Sequence, residues 1–193
     1  AHDGLLTVQI DEEQGLRLLL TCLRDEGHGR VGFAGADQEV DHRRAQCFRR
    51  LAAELTLETR PDWTAFASGR RIEAGSRAGE HLLETAGKAG PTAYVTSSDL
   101  VACGLIRSLH EKQCRIPQDV SITGFDDIPL AHLLHPALTT VRQPYAAMCR
   151  QAWAWATGAE ITAADRCSFP PVLVRRESTA APRASSLHRA ATP

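Results

Sequence analysis

Short apolar runs of strand character alternate with longer stretches of helical period along almost the whole chain. No other feature narrows the possible folds as much. Residues 6–10 alternate in strand fashion, and Asp11 opens a stretch that sets Leu16, Leu19, Leu20 and Leu23 on one face. Gly27 stops it, and residues 30–35 read as a short buried strand. Residues 41–55 read as a helix with Ala45, Phe48, Leu51, Ala52 and Leu55 inward, 59–69 is ambiguous, and 72–86 returns to helix. Residues 91–96 form the next strand, and Ser97-Ser98-Asp99 has the chemistry to cap a helix that buries Val101, Leu105, Ile106 and Leu109. Residues 120–125 make another strand, followed by a short helix before Pro136, a strand at 138–141, a helix at 145–156 and a strand at 172–176. Beyond Ser178 the Ala, Ser, Pro and Arg content reads as a loose tail. Strands separated by helices predict an α/β fold, a parallel sheet with helices on both faces. Such sheets bind ligands at the carboxyl ends of their strands, here after Ala34, Thr96 and Phe125.

Charge excludes one class of partner. Lys plus Arg total 22 against 23 Asp plus Glu, a net charge of −1, so nothing pulls this chain as a whole toward nucleic acid or an acidic membrane. Any contact with DNA would have to come from a part outside it. No apolar run nears the roughly 20 residues that span a bilayer. The first residues show no basic-then-apolar leader. The six cysteines are scattered without a Cys-x-x-Cys pair, which predicts reduced thiols and a cytoplasmic location rather than zinc or a disulfide framework.

Few motifs carry chemistry. Gly27-His28-Gly29-Arg30-Val31-Gly32 satisfies G-x-G-x-x-G on paper, but it follows a helix and enters a strand, the reverse of the order that lays a pyrophosphate on a helix amino end. It reads as a helix stop and turn. His132 and His135 beside Asp126 and Asp127 lack a third ligand at a defined spacing, so no metal is expected. Trp153 and Trp155 read as packing or interface groups rather than a cofactor box. No nucleophile–base pair or cofactor loop is present, so the chain is expected to be no enzyme and to hold no cofactor. What remains is a binding constellation: Arg43 and Arg44 after one strand, Ser98 and Asp99 after a second, Asp126 after a third. A guanidinium that donates to hydroxyls and a carboxylate that accepts from them suit a polyhydroxylated ligand.

The residues also resemble a known family. Asp11-Glu12-Glu13-Gln14-Gly15, Gly27-His28, Pro91-Thr92-Ala93 with Ser98-Asp99-Leu100-Val101-Ala102, and the run from Ile116 to Asp127 are similar to segments of the LacI/GalR bacterial transcriptional regulators. Leu138-Thr139-Thr140-Val141-Arg142-Gln143-Pro144 and Leu173 to Thr179 continue the series in order. The resemblance implies a periplasmic-binding-protein-like (type I) effector domain with two lobes. A small polar effector, a sugar or sugar derivative, would lie between them, contacted by Arg44, Ser98, Asp126 and Gln143. It also implies a homodimer and DNA contact through a headpiece absent from this chain. A solute-binding protein of a sugar transporter shares the fold and is the alternative.

Two departures stand out. Ser98 replaces the family's usual Asn, and Gly69-Arg70-Arg71 stands where an aromatic platform is usual, which makes Arg70 a candidate contact for an acidic or phosphorylated effector. On this resemblance residues 1–11 form a partial first-lobe strand, 12–136 a nearly complete second lobe, and 137–168 a first-lobe strand–helix unit. Residues 169–178 return to the second lobe and 179–193 form a disordered tail. With most of the first lobe missing, the strand–helix unit carrying Tyr145, Met148, Trp153 and Trp155 is expected to be mobile, rearranged or in an intermolecular contact.

Overall fold

The computed structural model describes residues 6–85, 90–158 and 166–183. Strand β1 (Thr7–Ile10) leads into helix α1 (Glu12–Asp25), whose N-cap Asp11 accepts the Gln14 N–H at 2.9 Å. Then come β2 (Val31–Ala36), α2 (Glu39–Glu54), β3 (Thr64–Ala67), α3 (Arg71–Thr85), β4 (Ala93–Thr96), α4 (Asp99–Glu111) and β5 (Ser121–Thr123). The ambiguous stretch at 59–69 resolves into a 3-10 turn, Pro61–Trp63, and the edge strand β3. Four strands form one parallel sheet in the order β3-β2-β4-β5.

Side chains alternate across each strand, so each face of the sheet has its own core. Val31, Phe33, Val95 and Phe125 meet Leu16, Leu19, Leu20 and Leu23 of α1 and Phe48 and Leu51 of α2. Ala34, Tyr94 and Ile122 meet Leu82 of α3 and Val101, Leu105, Ile106 and Leu109 of α4. Gly27, at φ +95°, turns the chain out of α1 into β2, so the glycine-rich run is a helix stop.

Helices α3 and α4 cross with their backbones almost touching. A Cβ at Gly75 would collide with the Val101 carbonyl, and one at Gly104 with the Ile72 carbonyl. Backbone on both sides cannot yield as a side chain can. Gly104→Val is therefore expected to cost about 3 kcal/mol or more, above the usual range for an overpacked core; a urea midpoint unchanged from wild type would refute this.

The rest of the chain departs from the expected boundaries. Strand β6 (Thr140–Arg142) pairs antiparallel with β8 (Val172–Val174), and bridges from Thr139 to Thr123 and from Arg142 to Asp126 attach it beyond β5. Residues 139–142 are thus bridged to β5 and to the turn that follows it. Helix α5 (Tyr145–Ala156) packs on β1, which pairs in parallel with β7 (Arg166–Phe169), a strand the sequence did not announce. The chain crosses between these two groups after Ile10, after Gln143 and at Pro170-Pro171. Nothing in α5 is buried: Trp153 is 72% exposed and Tyr145 53%.

The tail begins later than its composition suggests. Ser178 is fully buried; its carbonyl accepts the Ile122 N–H at 2.9 Å and its hydroxyl donates to the Ile122 carbonyl at 2.6 Å. Ala180 N–H donates to Ser121 Oγ at 3.1 Å. Buried His28 joins the same layer, with Nδ1 2.8 Å from Thr92 Oγ1 and Nε2 3.1 Å from Ser121 Oγ. Burial holds its pKa below the ordinary histidine value. Thr179 and Ala180 are therefore anchored rather than loose, while 184–193 of the expected tail lie outside the described residues.

Candidate functional site

A parallel sheet gathers its strand ends and the helix starts that follow them on one edge, and the polar residues collect there. After β2, the fully buried Asp41 in the first turn of α2 closes the loop: its Oδ2 accepts the Ala36 N–H at 3.0 Å. One turn on, Arg44 lies beneath the surface with its side chain 8% exposed. Its Nε and Nη2 donate to Glu12 Oε1 at 3.2 and 2.6 Å, its Nη1 donates to the Ser97 carbonyl at 2.5 Å, and the guanidinium lies 4.4 Å above the Phe125 ring. Flat stacking and a shared carboxylate fix the orientation of the fork.

After β4, Ser98 caps α4, its Oγ accepting the Val101 N–H at 3.4 Å. After β5 the backbone turns sharply: Asp126 has φ +130° and Asp127 φ +55°, uncommon for residues other than glycine. Asp127 is held by Arg142 at 2.6 Å and Arg176 at 2.5 Å. Asp126 has no cation within ion-pairing distance among the described residues; its Oδ1 accepts from Gln143 Nε2 at 2.5 Å. Burial pushes its carboxyl up to about 6, with the neighbouring Asp99 adding to the rise and Arg44 opposing it. Tyr145, opening α5, is close enough for Asp126 to help burial push its phenol up.

Four of the residues expected from the sequence thus come together: Arg44, Ser98, Asp126 and Gln143. Two details differ. The fork of Arg44 is engaged by Glu12, not Asp126, although the Asp126 carboxyl feels its charge. And Arg71, not Arg70, enters the cluster: its Nη1 lies 3.3 Å from Asp41 Oδ1 and 3.4 Å from Ser98 Oγ, and its Nη2 3.1 Å from Gln38 Oε1. The Arg70 residue is exposed, and its partners are to its backbone alone: its N–H donates to Glu73 Oε2 at 3.3 Å and its carbonyl accepts the Ala74 N–H at 2.8 Å. Sequence reasoning missed Glu12, Asp41 and Arg71. The first two announce themselves only as acidic residues in helix first turns.

Guanidinium, carboxylate, amide, hydroxyl and phenol groups on one edge can grip a small polar molecule by hydrogen bonds, and among the described residues no cluster of His, Cys, Asp and Glu could hold a metal ion. Residues 20–179 match the periplasmic binding protein-like domain. The chain belongs to that family. Its relatives are helix-turn-helix regulators of the LacI type. It is 39% identical over 150 residues to an uncharacterized HTH-type transcriptional regulator in the aml 5' region of Streptomyces limosus, covering 75% of this chain and 41% of that protein. It is 31% identical over 180 residues to the HTH-type transcriptional regulator GalS of Salmonella typhimurium, covering 90% and 52%. A crystal structure of a LacI-family sugar-binding transcriptional regulator from Escherichia coli, complexed with phosphate, superimposes with a TM-score of 0.78 at 27% identity, over 90% of this chain and 63% of that one. The chain spans about half the length of the curated relatives it matches. These relatives are regulators rather than enzymes, and the match is to their effector-binding domain. No helix among the described residues is long and apolar enough to cross a membrane.

Proposed function

We propose that this chain is the sensing domain of a cytoplasmic DNA-binding transcriptional regulator and that it takes a small polyhydroxylated molecule, a sugar or sugar derivative. The reading rests above all on Asp126: a largely buried carboxylate with no ion partner among the described residues, hydrogen-bonded by Gln143 and near enough to Arg44 to feel its charge. A buried acceptor left in that state is served by ligand hydroxyls, and Arg44 and Ser98 supply the complementary donors. The regulatory names of the relatives favour a sensor over a transporter's solute-binding protein.

Residues 6–11, 144–158 and 166–169 belong to a first lobe in this proposal, and residues 12–85, 90–143 and 170–183 to the second. A ligand that binds better to one lobe arrangement than the other shifts the population toward it. Two copies then carry that shift to DNA-reading headpieces outside this chain. The ligand acts only through that difference in affinity.

Arg44→Ala tests the site. Each lost charge-assisted hydrogen bond to the ligand is worth roughly 1.5–3 kcal/mol, so affinity is expected to fall about 10- to 100-fold. Calorimetric titration of a panel of pentoses, hexoses, disaccharides and their acids into the protein and this variant measures it. If any of these binds equally well to both, Arg44 is no ligand contact; if none binds the unaltered protein, the polyhydroxyl reading fails.

A further inference from the structure

Charge is unevenly spread along the site. The sheet order β3-β2-β4-β5 places Arg70 and Arg71, which follow β3, at one end of the row and Asp126, which follows β5, at the other. Three strand spacings of about 4.8 Å separate the ends, roughly 14 Å. In the middle, Arg44 is balanced by Glu12 at 2.6 Å. At the β3 end Asp41 pairs with Arg71 at 3.3 Å but nothing among the described residues pairs with Arg70, and at the β5 end nothing among them pairs with Asp126.

At the β3 end the cations Arg70, Arg71 and Arg77 face the carboxylates Asp41 and Glu73. Arg77 donates to the Ser68 carbonyl at 2.9 Å, and Glu73 accepts the Arg70 N–H. The Arg70 guanidinium has no hydrogen bond or ion pair among the described residues. The Arg71 guanidinium is held by an ordinary 3.1 Å bond to Gln38 and by longer contacts of 3.3 and 3.4 Å to Asp41 and Ser98, against 2.5–2.6 Å for the two shortest bonds of Arg44. Asp41 keeps the Ala36 N–H if Arg71 turns away. The Arg71 side chain is 29% exposed, so one edge of its fork is open to an incoming acceptor. At the β5 end the reverse holds: Asp126 repels an anion but accepts from hydroxyls.

We propose that the ligand carries one anionic group, received by Arg70 and Arg71 at the β3 end, with its hydroxyls toward Asp126, Gln143 and Ser98 at the β5 end. The proposal builds on the polyhydroxyl site above and adds its polarity. A carboxylate or a phosphate meets a guanidinium fork through two parallel bonds, which the spherical charge of a lysine would not orient. Arg70 then discriminates charged ligands from their neutral parents, and Arg71 bridges the anion to Ser98.

The test uses the whole protein as its gene encodes it. Inorganic phosphate is titrated alone, followed by D-glucose, D-glucuronate and D-glucose 6-phosphate, then D-ribose and D-ribose 5-phosphate. Phosphate should raise the melting temperature of the unaltered protein but not of Arg70→Gln/Arg71→Gln. At least one charged sugar should bind about 10-fold or more tightly than its neutral parent. Arg70→Gln alone, at an exposed position where folding is not at stake, should erase most of that preference. The glucuronate and 6-phosphate arms separate a carboxylate from a phosphate. A neutral parent that binds as well as its charged derivatives, a phosphate shift that survives the double substitution, or no binding of any anion overturns the proposal. Neutral sugars binding alone would leave the polyhydroxyl site intact. Phosphate binding lost in the double variant, with no sugar derivative bound, would instead remove the polyhydroxyl reading and keep the anion subsite.

Discussion

Asp99→Ala is expected to lower the unfolding free energy by about 2–4 kcal/mol, since it leaves two hydrogen-bond donors without their acceptor. The Asp99 carboxylate is 1% exposed and joins three segments that are distant in sequence. Its Oδ1 accepts from Thr140 Oγ1 at 2.5 Å and its Oδ2 from the Ile128 N–H at 2.9 Å, while its own N–H donates to the Phe125 carbonyl. Alanine keeps the last of these but strands a buried hydroxyl and a buried amide, and it opens a hole beside Gly124, whose Cα approaches the carboxylate closely. Asn should lose less, since one oxygen survives and the threonine hydroxyl can rotate to meet an amide. Urea denaturation of the three proteins decides it: a loss below about 1 kcal/mol for Ala would mean that water replaces the carboxylate.

Asp126→Asn should do the opposite, stabilising the fold while removing ligand response. The folded carboxyl titrates near 6, against about 3.9 in an unfolded chain. Between those values the folded state binds more protons than the unfolded one. Stability therefore falls as pH rises from about 4 to 6, and the full cost of the buried charge is present above that. Asparagine removes the charge and keeps an oxygen for the Gln143 amide. The variant should match the parent near pH 4 and exceed it by about 1–2 kcal/mol at pH 7, allowing for partial solvent screening. A gap that is constant with pH, or of opposite sign, would show that the Asp126 charge is not strained by its setting. The expected pH-dependent gap would instead mark Asp126 as a position where function is kept at a cost in stability.

The layered fold was legible because apolar period and turn chemistry agree at the elements of the main sheet other than its edge strand β3: Phe33 and Ala34 face opposite cores, and Ser98 caps the helix it was expected to cap. Strand β7 was not, because Arg-Cys-Ser-Phe is half polar and lies on β1 alone. The exchange of Arg70 for Arg71 has a simple cause. One residue turns a helix face by about 100°, and helix starts are uncertain by one or two positions, so the inward arginine cannot be chosen from spacing. The Glu12–Arg44 pair spans 32 residues and leaves no local pattern. The packed segment after Ser178 escaped notice for a related reason. Its anchoring is by backbone and hydroxyl bonds to β5, to which composition is blind.

That anchoring has a consequence for biosynthesis. Ser178 closes on Ile122 across 56 residues, so the outer edge of β5 lacks its cover while those residues are being translated. At roughly 5–20 residues per second the delay is roughly 3–11 s. For that interval a nascent chain displays free strand hydrogen-bonding groups that another nascent chain could capture. Slower translation through this stretch should lengthen the vulnerable window and reduce the soluble yield.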